Sequence, residues 1–308
     1  MVGTNTFTGG QVGEDLVATI PEKWASMMLE QKFPEFVLTN HVTDLSSEIV
    51  DGDIIHVPNI YTNTFTVSTQ AVEGTEVVLQ SPTQVDVTIT VDTQKYVAFI
   101  LADKTMSQVL NSYNLGSKYS GMCQKVLLQD LESSLFGLYT SLTATAVGST
   151  TLAIADLDFR SAIAYMEGLN FKSDNAVFMD NKVYFNQFIG LTKISPNYSA
   201  NLGVIATGLL GGTGVAGTQI KGIAYGVPVF TSTLVPAPSS VAKNLMVNKD
   251  AFAFGVKMRD YSSKVRVQTS YKLENLGTLT VADIIYGFGV LRPEAGIIIN
   301  ALNTATVA

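Results

Sequence analysis

The sequence predicts an α+β fold, because three stretches carry different periodicities. Residues 84–92 read Gln84-Val85-Asp86-Val87-Thr88-Ile89-Thr90-Val91-Asp92, the two-residue apolar/polar alternation of a half-buried strand. Residues 117–142 place Tyr119, Met122, Val126, Leu127, Leu131, Leu135, Leu138 and Leu142 at three- and four-residue steps, the period of an amphipathic helix. The chain closes on Tyr286-Gly287-Phe288-Gly289-Val290-Leu291-Arg292-Pro293-Glu294-Ala295-Gly296-Ile297-Ile298-Ile299, a hydrophobic β-run interrupted by a buried-looking Arg-Pro-Glu. Proline cannot donate to a sheet ladder, so Pro293 marks an edge, a bulge or a change of sheet.

Along the chain the elements follow in order. Residues 1–19 are rich in Gly and Thr and read as a mobile arm. Residues 20–31 predict a short amphipathic helix with Trp24, Met27 and Met28 on one side, Pro21 fitting its first turn. From Asp53 to Phe99 the texture is β: Thr64-Phe65-Thr66-Val67 alternates, residues 84–92 alternate, and Glu73-Gly74-Thr75-Glu76 supplies a turn. Together they predict a long two-stranded hairpin. Such a hairpin is marginal alone in water, so it should rest on another surface. A shorter helix is expected over 103–114, separated by Leu115-Gly116 from the long one. The long helix would measure about 35–40 Å at about 1.5 Å per residue, with Leu127, Leu131 and Leu135 in the core. Asp156 is read as the cap of a helix to Gly168 with Ala162, Ile163 and Met166 inward; Gly168 and Asn170 end it. Residues 176–179 predict a buried strand, 182–190 a short helix, 227–231 and 245–247 further strands. Residues 266–271 alternate, and 281–299 form the closing strand. No internal repeat is visible.

The chain has 308 residues and a mass of 33.0 kDa, long enough for one large or two ordinary domains. Hydrophobic residues make up 46% and charged residues 15%, against about 25% charged in typical domains. Two readings fit so few charges: a β-rich protein faced with Thr and Ser, or a subunit whose surfaces are mostly buried in an assembly. The absence of a catalytic signature favours the second. The net charge of −7 and pI near 4.9 argue against a dedicated nucleic-acid binder. Cys123 is the only cysteine, so no intrachain disulfide can form; among Met122, Val126 and Leu127 it reads as a small core residue. Residues 1–20 lack the basic start and apolar core of a signal peptide. The longest uncharged stretch, 194–220, is broken by Pro196, Asn197, Asn201 and many glycines, and reads as a loop, not a membrane span.

The candidate chemistry is weak throughout. Gly212-Thr213-Gly214-Val215-Ala216-Gly217 matches G-x-G-x-x-G, but Thr218-Gln219-Ile220-Lys221-Gly222 after it is no helix start and no acid lies between Ser199 and Val247; the nucleotide motif requires both. His41 and His56 lie on what reads as an extended segment without metal-ligand spacing, and His56 reads as an ordinary sheet residue. No serine sits in G-x-S-x-G. No catalytic residue, cofactor or metal is therefore expected. The charge distribution is more informative. From Phe33 to Gln94 there is no Lys or Arg, while Glu35, Asp44, Glu48, Asp51, Asp53, Glu73, Glu76, Asp86 and Asp92 are acidic. Later, Lys243, Lys249, Lys257, Arg259, Lys264, Arg266 and Lys272 face only Asp250 and Asp260. Two solvated faces would explain this; so would complementary surfaces that meet within a subunit or between neighbours. The second reading makes Trp24, Glu73, Glu76, Asp86, Lys257, Arg259, Lys264 and Arg266 candidate assembly contacts.

Three stretches recur together in one family: Ile20-Pro21-Glu22-Lys23-Trp24, then Gly52-Asp53-Ile54-Ile55-His56-Val57-Pro58, then the closing Tyr286-Gly287 to Arg292-Pro293-Glu294. In this order and spacing the chain resembles the major capsid proteins of tailed double-stranded DNA phages, which share the Hong Kong 97 capsid fold. The resemblance spans nearly the whole chain. It implies an N-terminal arm over 1–52, an extended loop over 53–99, a peripheral domain with a spine helix over 100–152 and an axial domain over 153–245. Return strands through both domains would occupy 246–308. It implies a structural protein that self-assembles into hexamers and pentamers of an icosahedral head around DNA bound without sequence specificity. The implied location is the virion, assembled in the host cytoplasm without a membrane. The implied partners are a portal, a separate scaffolding protein unless a leader has been removed, and optionally a decoration protein; no long coiled coil precedes Ile20, so no fused scaffold is expected. The phage that names the fold joins a loop lysine to a neighbour's asparagine. Here Lys95, at the hairpin's base, is the only lysine from Phe33 to Asp103, so no cross-link is expected, although Asn275 and Asp283 could supply the other groups. The alternatives are an encapsulin-type shell of the same fold, and a small-molecule enzyme with an α+β core.

Overall fold

The computed structural model describes residues 31–34, 36–49, 52–60, 65–69, 74, 76–82, 85–108, 114–191, 220–257 and 264–304. All but the last residue of the helix expected over 20–31, nearly all of the Gly-rich 194–220 loop and its Gly212–Gly217 motif lie outside the described residues. Elements in the first half are β1 (Thr43–Asp44), β2 (Ile54–Asn59), β3 (Val85–Thr90), β4 (Thr93–Ala102), α1 (Asp103–Gln108), α2 (Leu115–Gly137) and β5 (Val147–Gly148). The second half holds α3 (Asp156–Gly168), β6 (Asn175–Asp180), α4 (Asn181–Val183, continued by a π turn over Tyr184–Phe188), β7 (Ile220–Ala224) and β8 (Val227–Ser232). It ends with β9 (Val241–Asn248), β10 (Phe252–Val256), β11 (Arg266–Lys272), β12 (Gly277–Val290) and β13 (Gly296–Leu302).

The strands form two main sheets and a ribbon. In the first sheet, β12 pairs antiparallel with β4 along one edge and with β11, then β10, along the other; β1 joins β10 in parallel. The second sheet runs β5-β13-β9-β6-β8-β7. The predicted closing strand is thus two strands in different sheets, and Pro293 sits in the crossing between them, so of the three readings of that proline the change of sheet holds. The crossing is pinned on both sides: the Arg292 N–H donates to Ala251 O (3.2 Å), and Pro293 O accepts from the Thr143 N–H (3.0 Å). The Arg-Pro-Glu triplet is half-buried, not buried.

The second sheet is covered on both faces, and the two-residue period shows how. Ala176, Phe178, Leu245 and Val247 face a core shared with α2 and the first sheet. Their neighbours Val177, Met179, Met246, Ile297 and Ile299 face α3 and α4. Alternate side chains of one strand point to opposite faces, so a doubly covered strand reads as a continuous apolar run. Leu127, Leu131 and Leu135 of α2 are buried in the shared core, with Cys123 and Phe136. Burial pushes the Cys123 thiol's pKa up.

Several elements differ from expectation. The hairpin ribbon pairs β2 with β3, Ile54 opposite Thr90 and Asn59 opposite Val85; residues 65–67, expected as strand, carry no ladder. The break expected at Leu115-Gly116 is instead the first turn of α2, preceded by Asn114 in the left-handed region (φ 43°). This helix ends at Gly137 and continues to Ser141 only as a 3-10 turn. Tyr119 and Val126, expected inward, are exposed. The cap of α3 is Ala155, whose N–H is held by the Asp158 carboxylate (2.9 Å); Asp156 pairs with Arg160 one turn on (2.7 Å).

His41 sits in a turn, not on an extended segment. Its ring lies 5.5 Å from Phe178, and its Nε2 faces Val247 O at 3.3 Å. Burial lowers its pKa below the ordinary 6.5, and Lys249 adds to this; the Val247 carbonyl and Asp174 oppose it. A folded-state pKa below the unfolded one penalises protonation of the folded chain. The stability at stake is present in full above pH 6.5 and is lost as pH falls from there through the folded-state pKa. Urea midpoints of the unassembled chain should therefore drop on acidification across that window, and His41→Asn should flatten this part of the profile.

Candidate assembly interface

The extended loop between β2 and β3 presents an apolar surface that the described residues do not cover. Beyond β2 and β3, the described arms 65–69 and 76–82 are exposed throughout. Phe65 is 65% exposed, Val67 99% and Leu79 89%, with Val77 and Val78 also open. Lone exposed apolar residues are ordinary, but a contiguous apolar patch marks an interaction site. The arms are bridged by a side chain instead of a strand ladder: Gln80 Oε1 accepts the Thr66 N–H (2.8 Å) and Gln80 Nε2 donates to Thr66 O (2.5 Å).

A second apolar surface lies between β4 and the N-terminal half of α2. Val97, Phe99, Ile100, Leu101, Tyr119, Met122, Cys123 and Val126 line a groove of about 350 Å³. The outward turn of Tyr119 and Val126 is explained here, since they form the groove's rim rather than the core.

The candidate charged contacts are placed as follows. Trp24, Glu73 and Arg259 lie outside the described residues. Glu76 is exposed on the second arm. Asp86 meets His56 across the ribbon at 2.5 Å, and that hydrogen bond holds the Asp86 carboxyl below its ordinary pKa. Lys257 Nζ pairs with Asp53 Oδ1 (2.7 Å) and reaches Gly52 O (3.3 Å). Lys264 pairs with Asp44 and lies over the Phe254 ring at 4.7 Å. Burial pushes the Asp44 carboxyl up, but hydrogen bonds from Lys264 and Ser46 outweigh it and hold its pKa below 3.8. Arg266 grips Asp283 with two bonds of 2.8 Å, joined by Gln94 at 3.2 Å. Lys95 lies 3.5 Å from Asp130, which also accepts from Tyr286 Oη (2.8 Å). The acidic and basic stretches therefore meet inside the chain, at Asp53–Lys257 and Asp44–Lys264.

Sequence reasoning missed Glu132. It is wholly buried on α2. Its Oε1 accepts the N–H groups of Val37 (2.9 Å) and Leu38 (2.7 Å); its Oε2 accepts the Thr39 N–H (2.9 Å) and hydroxyl. This carboxylate fastens the segment entering β1 to the long helix. Glu132 follows Leu131 and precedes Phe136 by one turn, so an acid on the buried stripe was the available signal.

No family model matches the chain, and no curated protein matches it in sequence. Solved structures do. A chain of Mycobacterium phage Che8 is 18% identical, with 91% of this chain and 96% of that one covered and a TM-score of 0.69. A chain from the capsid structure of the cyanophage P-SCSP1u is 15% identical, with 98% and 97% covered and a TM-score of 0.68. The chain has the Hong Kong 97-type capsid fold. The holo-SrpI encapsulin complex of Synechococcus elongatus PCC 7942 also matches, at 10% identity, 94% and 96% coverage and a TM-score of 0.63. Among the described residues no group of three or more His, Cys, Asp or Glu could hold a metal ion, and no helix is long and apolar enough to cross a membrane.

Proposed function

We propose that the chain is the major shell subunit of a tailed-phage head. It builds hexamers and pentamers of an icosahedral shell that encloses double-stranded DNA, and it performs no chemistry. The observation that carries this reading is the uncovered apolar loop, Phe65, Val67, Val77, Val78 and Leu79, on a chain with the capsid fold. The apolar groove between β4 and α2 is the surface on a neighbour that suits it. Burial of apolar area at about 25 cal/mol per Å² supplies the drive. Exposed ion pairs would add only about 0–1 kcal/mol each, and Lys257, Lys264 and Arg266 are already engaged by acids of their own chain. The loop contact is accordingly apolar at its centre, with Glu76 and the other candidate charges at its rim. A scaffolding protein and a portal are the partners this reading calls for, and a decoration protein is an optional further one.

Replacing residues 61–84 with a short Gly-Asn turn tests it. The ribbon of β2 and β3 keeps its ladder, so the variant should fold with unchanged far-ultraviolet circular dichroism. It should fail to assemble, eluting as single chains or isolated capsomers. Normal shells from the variant would remove the loop from the assembly mechanism. The encapsulin-type match keeps one alternative in play, which nucleic acid content decides: particles from infected cells that carry protein cargo and no DNA would favour it.

A further inference from the structure

The run Tyr286-Gly287-Phe288-Gly289 on β12 has two faces. Tyr286 and Phe288 point into the core shared with α2. Gly287 and Gly289, which alternate with them, face the end of β3. A methyl group at Gly287 would fall 2.1 Å from the Thr90 carbonyl oxygen and 2.8 Å from Thr90 C and Val91 Cα. One at Gly289 would fall 2.9 Å from Ile89 Cγ1. The end of β3 therefore lies directly on the backbone of β12, at the point where the ribbon joins the body. Among the described residues, the ribbon is also held there by a cluster of Ile49, Ile55, Ile89, Val91 and Ala253 with Leu45, Val57, Ile285 and Leu291 packed against it, by the Lys257–Asp53 pair, and by the Val91 N–H donating to Asp53 O (2.7 Å).

We propose that Gly287 and Gly289 are positioning residues that set the direction in which the extended loop leaves the body. They thereby select the neighbouring surface that the loop reaches. The functional half of this rests on the shell reading above. The two sites differ in a useful way. The obstruction at Gly289 is a side chain, which trimming can relieve. The obstruction at Gly287 is backbone, so the ribbon itself must lift or tilt by roughly 1 Å to restore ordinary contact near 3.5 Å. The paired strands extend about 20 Å at about 3.3 Å per residue, and a tilt at their base grows along them into the loop.

The test is an intrachain distance. Spin labels are placed at Glu76→Cys on the loop and Lys104→Cys on α1, in the full-length chain carrying Cys123→Ala. Labelled chain is diluted into excess unlabelled chain, and pulsed electron paramagnetic resonance reads the separation. Gly287→Ala should move the peak by roughly 3 Å or more, given that lever, while circular dichroism stays unchanged. Gly289→Ala should move it too, and adding Ile89→Ala should return it. An unmoved peak in folded Gly287→Ala and Gly289→Ala chains overturns the proposal. If Gly287→Ala does not fold, the Gly289 pair decides by the same criterion. Electron microscopy of the shells then tests the functional half: malformed or absent shells from displaced-loop variants support it, and normal shells refute it. Expected distance shifts in the variants, together with a wild-type chain that forms no shells, would uphold the seat and reject the shell reading instead.

Discussion

Glu132→Ala is expected to destabilise the unassembled chain by about 4 kcal/mol, because it strips the acceptor from three buried or part-buried N–H groups and a hydroxyl. Hydrogen bonds to a charged acceptor are stronger than neutral ones, and an unsatisfied buried donor retains its desolvation penalty. The bonds span about a third of the chain, so the loss frees the whole segment that enters β1, with Val37, Leu38 and Val42 of the main core. Urea denaturation reads the effect. Glu132→Gln keeps the shape and one acceptor oxygen, and should cost roughly half as much. Equal losses for Ala and Gln would show that the charge carries the whole contribution. A Glu132→Ala midpoint within error of wild type would show that the clamp adds nothing to stability.

Arg266→Ala should cost about 3 kcal/mol, because it removes the bidentate partner of Asp283, which is buried in the first sheet. Leaving one charge of a buried pair behind is worse than removing both. The double variant Arg266→Ala/Asp283→Ala should therefore recover part of the loss, and the coupling in that cycle isolates the pair from the packing of the Arg266 stem. Simple additivity of the two single variants would mean that the pair contributes little. The same geometry removes Asp283 from any role toward a neighbour, since both of its oxygens are bonded within the sheet.

The long helix was legible because Leu127, Leu131 and Leu135 repeat at one turn, and such a pattern has no other stable reading. Pro293 was legible as a discontinuity, but only the strands on either side could say that it joins two sheets. The loop strand was misread over the described residues 65–67 for a physical reason. Alternation marks a strand only where a partner completes the ladder, and the facing arm carries Val77-Val78-Leu79, which does not alternate. A Gln80 side chain spans the arms instead. Glu132 and the ion pairs of Asp44 and Asp53 join residues about 90 to 220 positions apart, a separation at which local pattern carries no information. The surplus of acids in one stretch and bases in another did record that those stretches meet. It did not record that they meet within the same chain. Tyr119 and Val126 hold correct helical positions but line a groove, because periodicity marks an apolar face and not what covers it.

Negative-stain electron microscopy of the purified full-length chain, with its scaffolding partner where one is needed, tests the central claim most directly. The account predicts closed shells of uniform diameter whose surface resolves into hexameric and pentameric capsomers. A field of dispersed particles the size of a single 33.0 kDa chain, unchanged by concentration or partner, would contradict it.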